Sequence, residues 1–212
     1  MKSWYAIDGR LSSINFVGDT STRFPAALAE QVIRNLSKPD DTVLDPFAGF
    51  GMTLEAGRRQ HRKVVGFEPD FARFSYTRKW LGPNDLLIQD RAENIAQYQV
   101  PPVDLVVCSP PFSRLSGCSG FVDTQSYIQV LSDILVRVKE VVRAGAPIVV
   151  EMINKRRLDG QVIPLAFMFA TSFAKVCRFE GEIVFCNKDD VEVSPTFTHS
   201  YMMVFRNVIP SA

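Results

Sequence analysis

Ser109, Pro110, Pro111 and Phe112 stand in consecutive positions directly after the strand-like run at 103–107, ending in Cys108. Two prolines fix φ and contribute no N–H, so the carbonyls of Ser109 and Pro110 sit in a rigid loop with no local backbone donor. They are left to accept from a ligand. The Ser109 hydroxyl adds a further acceptor, and Phe112 can offer its face to a planar ring. A ring-borne amine, as on a nucleobase, complements such a wall. Its lone pair is delocalised and poorly nucleophilic. Accepting from both of its N–H groups draws the nitrogen toward tetrahedral geometry and frees the lone pair for in-line attack on an electrophilic methyl. Such a site works by positioning and polarisation, with the aromatic ring holding the base out of a duplex.

A second constellation lies upstream. The stretch Thr42–Gly57, TVLDPFAGFGMTLEAG, passes from an apolar strand through Asp45 and two glycines into a helix-forming run. Gly49 and Gly51 allow a sharp turn and close approach of a ligand, because no Cβ intervenes. A dinucleotide fingerprint needs a third glycine where Leu54 stands, which counts against a nicotinamide cofactor. An ordinary strand-to-helix turn is the plain alternative. Glu68 closes the next strand, where a carboxylate can accept both hydroxyls of a ribose, and Asp90 closes the third. Each acid could instead cap a following helix. Three in line at one sheet edge favour a nucleoside with a cationic or amine-bearing partner.

These positions require a parallel sheet. Short Val/Ile/Leu-rich runs alternate with amphipathic stretches, the pattern of a doubly wound α/β sheet covered on both faces. Strands are expected near Thr42–Asp45, Val64–Glu68, Asp85–Gln89, Asp104–Cys108, Ala146–Ile153, Gly181–Asn187 and Ser200–Arg206, seven in all. The clearest helix spans Thr124 to Ala144, with Tyr127, Val130, Leu131, Ile134, Leu135, Val138, Val141 and Val142 at helical spacing and Gly145 as a stop. Another starts at Pro25, with Thr22 as a cap, and ends before Pro39. The loops 113–123 and 188–198 are long and irregular, as recognition loops tend to be.

With 212 residues and 46% apolar content, the chain suits one domain over 1–212, residues 1–21 being an N-terminal extension. A net charge of +1 draws it onto neither nucleic acid nor membrane, so any attraction is local. Cys108, Cys118, Cys177 and Cys186 form no CxxC pair, and with two histidines no zinc site and no other metal is expected. No leader or membrane span is read, and a cytoplasmic protein with reduced thiols is expected.

Asp45-Pro46-Phe47-Ala48-Gly49-Phe50-Gly51, then Glu68, Asp90 and Ser109-Pro110-Pro111-Phe112, resemble the S-adenosylmethionine-dependent DNA amino-methyltransferases that modify N4 of cytosine or N6 of adenine. The Ser-Pro-Pro-aromatic form is most similar to the N4-cytosine branch. The resemblance runs from about Thr22 to Arg206. It implies a Rossmann-like, seven-stranded sheet whose last strand is antiparallel. It implies S-adenosylmethionine held by Phe24, Asp45, Pro46, Phe47, Gly49, Gly51, Thr53, Glu68, Pro69, Asp90 and Arg91, with Glu68 on the ribose and Asp90 on the adenine amine. Ser109, Pro110, Pro111 and Phe112 are the implied catalytic loop. Met52 stands where the family commonly has threonine.

No stretch is long enough for the family's separate target-recognition region. Three arrangements stay open: a minimal enzyme reading a short context with its loops, dependence on a specificity partner or a homodimer, or another substrate such as RNA or a protein amide. A catalytically silent cofactor-binding subunit is the alternative of another class. Arg114, Lys155, Arg156 and Arg157 are candidates for phosphate contacts, or else a solvated loop. Arg58, Arg59, Arg62 and Lys63 read as the exposed end of a helix. His61 and His199 lack neighbours that would make a triad. Cys108 precedes the motif and is expected to point into the core, which disfavours a covalent route.

Overall fold

A computed structural model describes residues 3–7, 16, 25–112, 115, 123–157, 159–187 and 199–208. Its main sheet is built from β1 (Trp4–Ile7), β2 (Thr42–Asp45), β3 (Lys63–Phe67), β4 (Leu86–Ile88), β5 (Leu105–Cys108), β6 (Pro147–Met152), β9 (Arg178–Asn187) and β10 (His199–Arg206), while β7 (Lys155–Arg156) and β8 (Val162–Ile163) form a small separate hairpin. The order across the main sheet is β1-β9-β10-β6-β5-β2-β3-β4. Strands β2 to β6 pair in parallel. Strand β10 runs antiparallel to both β6 and β9, as expected of the last strand.

All seven expected strands form. Among the described residues the main sheet has eight, however, because β1 adds in parallel outside β9, with Trp4 opposite Val184 and Ile7 opposite Asn187. Tyr5 stacks on Phe185 there at 5.4 Å. Strand β1 stands outside the alternation of strands and helices, and only its pairing with β9, 180 residues away, defines it.

Among the described residues five α-helices cover the sheet: α1 (Ala26–Leu36), α2 (Met52–Arg59), α3 (Phe71–Arg78), α4 (Thr124–Val138) and α5 (Leu165–Phe173). Successive strand residues feed opposite layers. Val106, Ile148, Val150 and Phe205 join the core beneath α4 and α5, whereas Val43, Leu105, Val107 and Val149 join the core beneath α1. Burial on both faces is why these strands read as continuous apolar runs. Each such side chain contributes about 1.5–3 kcal/mol on leaving water.

Helix α4 stops at Val138, six residues short of the expected Ala144, and tightens into a 3-10 turn over Lys139–Val141. The reason lies far along the chain: the Asn207 side-chain amide donates to the carbonyls of Lys139, Val142 and Arg143, collecting acceptors that a longer helix would use itself. Helix α1 follows Pro25 as expected, while Thr22 lies outside the described residues. Arg62, expected on an exposed helix end, instead donates to the Ser37 hydroxyl and to the Ser37 and Ile33 carbonyls, fastening the end of α1. Among the described residues no helix is long and apolar enough to cross a membrane.

Candidate active site

The strand order reverses between β2 and β5, whose neighbours across the sheet are β3 on one side and β6 on the other. A crevice opens at such a switch point beyond the carboxyl ends of the strands. The glycine loop leaves β2 there, and Ser109 to Phe112 leave β5.

The glycine loop is fixed by an Asx turn and by its neighbours. Asp45 Oδ1 accepts from the Phe47 N–H at 2.9 Å, the Ala48 N–H donates to the Phe67 carbonyl, and the Thr77 hydroxyl donates to the Gly49 carbonyl. Gly49 and Gly51 both take left-handed backbone, at φ +54° and +80°. At Gly51 a Cβ would also lie 2.6 Å from the Trp80 ring and 2.7 Å from Thr77. No side chain caps α2, which begins at Met52. Its first amide groups face the loop, as ligand-binding helix starts do.

Asp45 is 1% exposed, and burial raises its pKa to about 7, with the Glu68 charge adding to the rise and the Thr53 hydroxyl and Phe47 N–H opposing it. The Thr53 oxygen is itself buried without a partner in hydrogen-bond geometry. Glu68 follows β3, is buried, and binds the loop directly: Oε2 accepts from the Gly49 N–H at 2.9 Å and Oε1 from the Asp70 N–H at 2.8 Å. Burial raises its pKa against those two bonds. Each oxygen keeps a second lone pair for hydroxyl donors.

Asp90 contrasts with both. Its carboxylate accepts from the Arg91 N–H, the Asn94 amide and, at 2.7 Å, the Tyr98 hydroxyl. Tyr98 foremost, then the Arg91 N–H and Asn94, hold its pKa below the usual range. An amine arriving at Asp90 would have to take the place of one of these donors. Tyr98, whose ring meets Phe67 edge-on at 5.8 Å, went unnoticed in the sequence. So did Phe71, 69% exposed three residues past Glu68 and two past the exposed Pro69. Pro46 is buried and Phe47 half-buried in the loop, and Phe24 lies outside the described residues.

On the other side of the crevice, Pro110 is buried, Pro111 exposed, and Phe112 half-buried, with its ring 6.4 Å from that of Tyr127 on α4. Among the described residues no N–H donates to the carbonyl of Ser109 or Pro110. The Ser109 hydroxyl donates to Glu151 Oε2 at 2.6 Å. Glu151, missed in the sequence, is a carboxylate in the fully buried strand β6, and charged side chains are almost never buried without a partner. That mismatch was the available signal. Cys108 points into the core as expected, and burial pushes its thiol pKa well up, which disfavours a thiolate nucleophile.

Lys155 and Arg156 form β7, and Arg157 continues the hairpin with its N–H on the Gln161 carbonyl and its side chain 3.8 Å from Asp159. The hairpin extends from the carboxyl end of β6, so these three residues stand at the edge where Ser109 emerges. Arg114 lies outside the described residues. His199 pairs with the Tyr201 hydroxyl at 2.9 Å. Among the described residues no group of three or more His, Cys, Asp or Glu is placed to hold a metal ion.

Residues 8–78 match the model of the family N6_N4_Mtase, described as DNA methylase. A 46-residue segment is 46% identical to the type II methyltransferase M.ScaI of Streptomyces caespitosus. Together these support the N4/N6 DNA methyltransferase family. The M.ScaI match takes in 22% of this chain and 15% of that relative. In fold the chain resembles TrmN from Thermus thermophilus, with TM-score 0.64 and 15% identity over 89% of this chain and 50% of that one. It also resembles the N-methyltransferase NodS from Bradyrhizobium japonicum in complex with S-adenosyl-L-homocysteine, with TM-score 0.59 and 10% identity over 86% of this chain and 85% of that one. The sheet is therefore the Rossmann-like methyltransferase fold.

Proposed function

We propose that this chain transfers a methyl group from S-adenosylmethionine to an exocyclic amine of a nucleobase, N4 of cytosine in DNA, without a covalent enzyme intermediate. One observation carries this: across the switch point from a glycine loop bound to Glu68, a Pro-Pro loop presents the carbonyls of Ser109 and Pro110 with no N–H donating to them among the described residues.

The loop residues fit the cofactor. Two left-handed glycines shape the loop, Gly51 packing so closely on Trp80 and Thr77 that no side chain fits there, and Glu68 keeps lone pairs for ribose hydroxyls. Phe47 and the start of α2 would line the methionine end, and Pro69, Asp90 and Arg91 the adenine end. Bound there, S-adenosylmethionine supplies an electrophilic methyl.

The protein's own work lies on the acceptor side. The carbonyls of Ser109 and Pro110 and the Ser109 hydroxyl oxygen would accept the two N–H groups of the amine and hold its lone pair toward the crevice. Phe112, braced by Tyr127, would bound the ring plane. The nitrogen releases its surplus proton to water after transfer. Lys155, Arg156 and Arg157, with Arg114, would guide the phosphates. Specificity would come from the surface loops or a partner protein.

Nucleoside analysis of DNA from cells expressing the protein tests this. N4-methylcytosine is the expected product. N6-methyladenine would retain the chemistry and change the base, and no modified base alongside modified RNA or protein amide would move the substrate class. A chain that binds S-adenosylhomocysteine and modifies nothing would be a silent subunit.

A further inference from the structure

Glu151 raises a question that the methyl-transfer site does not answer. It is 6% exposed in the middle of the sheet, opposite Met202 on β10, with Val150 opposite Cys108 on β5. Leaving a carboxylate unpaired in such a place costs several kcal/mol. Among the described residues no lysine, arginine or histidine acts on it. Ser109 donates to it at 2.6 Å, and Ser200 of β10 is its second hydroxyl neighbour. The titratable groups coupled to it are Cys108 of β5 and Tyr127 of α4, whose buried hydroxyl finds no hydrogen-bond partner among the described residues. Burial raises the pKa of Glu151 and the two hydroxyls work against that rise.

We propose that Glu151 is a positioning residue for the methyl-accepting amine: it accepts the Ser109 hydroxyl's hydrogen bond, so that the Ser109 oxygen turns only lone pairs to the substrate. This rests on the function proposed above and deepens it. A hydroxyl has one proton and two lone pairs. With its O–H directed at Glu151, Ser109 joins the two neighbouring carbonyls in a wall that only accepts. An NH2 group satisfies that wall. A ring carbonyl, which thymine and uracil carry where cytosine has its amine, meets oxygen on every side and is refused. A protonated Glu151, or a glutamine in its place, can itself donate to Ser109 and send the serine proton toward the substrate. The raised pKa sets the sign: the acceptor-only state is present at high pH and is lost as pH falls through the Glu151 pKa.

The test compares kcat and KM between pH 5.5 and 9 for the unaltered chain, Glu151→Gln, Glu151→Asp, Ser109→Ala and Ser109→Ala with Glu151→Gln. The substrate is a duplex carrying the site found by base analysis. Circular dichroism and melting shifts with S-adenosylhomocysteine show which variants remain folded and bind the product. Glu151→Gln is expected to lower kcat by about tenfold or more, leave both KM values within about twofold, and lose the acid limb of the unaltered chain. Glu151→Asp should recover part of kcat together with that limb. The double variant should be no slower than Ser109→Ala alone. With S-adenosylhomocysteine present, the binding preference for cytosine over thymine at the target should narrow in Glu151→Gln. Full kcat with an unchanged limb in Glu151→Gln, or multiplicative losses in the double variant, would overturn the proposal while leaving methyl transfer intact. Absence of transfer by the unaltered chain to any amine would remove the function and this inference together. Should Glu151→Gln not fold, Ser109→Ala decides: the limb should vanish there, and its persistence at the same pH overturns the idea.

Discussion

The two sides of the crevice hold their buried acids by different means. On the β2–β3 side, Asp45 and Glu68 are bound by backbone N–H groups of Phe47, Gly49 and Asp70, all within 19 residues of the acid they serve. On the β5–β6 side, Glu151 is bound by the hydroxyl of Ser109, 42 residues away. Backbone donors are fixed by the fold and survive side-chain replacement. A hydroxyl rotates, and its direction depends on the charge of its partner. The first side is thus suited to holding one ligand in one pose, and the second to choosing between substrates that donate and substrates that accept.

The sharpest break in this comparison is expected at the prolines. Pro110→Ala should lower methyl transfer by about a hundredfold or more, because loosening the acceptor wall misplaces the amine. Cys108→Ala, one residue before the motif, should keep kcat and lose only about 1 kcal/mol of stability from the small cavity. Single-turnover rates together with urea unfolding measure both, and a reversed pattern would point to a covalent route.

Next in size is the glycine loop. Gly51→Ala combines left-handed backbone at φ +80° with a methyl 2.6 Å from Trp80, and should cost about 3 kcal/mol or more and abolish the melting shift produced by S-adenosylhomocysteine. Gly145→Ala meets the same backbone demand at φ +77° but nothing within 4 Å, so it should cost only about 1–2 kcal/mol and leave ligand binding alone.

Asp45 gives a pH-dependent contrast. In the folded chain its carboxyl titrates near 7 rather than 3.8, so between those values the folded state holds a proton that the unfolded state has released. Stability therefore falls as pH rises from about 4 to 7. Asp45→Asn escapes this loss and should gain on the unaltered protein by up to about 4 kcal/mol between pH 4 and 8, while weakening the loop's function. Melting temperature against pH checks the sign. The smallest effect belongs to Tyr98→Phe: with the foremost cause of its low pKa removed, the Asp90 carboxyl should titrate at higher pH by NMR, and the melting temperature should not move.

How much was legible follows the same division. The seven expected strands were legible because they alternate with helices, and β2, β5 and β6, buried on both faces, read as continuous apolar runs. Asp45, the two glycines and Glu68 were legible because turn chemistry and sheet edges leave local marks. Strand β1 and the β7–β8 hairpin, of four and two residues per strand, were not, since their pairing alone defines them. Glu151 was overlooked within an apolar strand that seemed explained by packing, and Tyr98 within a segment without periodicity. Helix α4 ends before the expected Ala144 because Asn207, which intercepts the carbonyls of Lys139, Val142 and Arg143, lies 64 and more residues beyond them. In each case the missing information was a contact between distant parts of the chain.

The indole of Trp80 lies against Gly51 at the turn into α2, with the Arg58 guanidinium 5.8 Å from its centre. The chain has just two tryptophans, the other being Trp4 at the far edge of the sheet. Replacing Trp4 by phenylalanine would leave a protein whose tryptophan emission arises from one indole, packed against the glycine loop. Ligand arrival could then be followed in a stopped-flow cell by emission alone, with no dye attached.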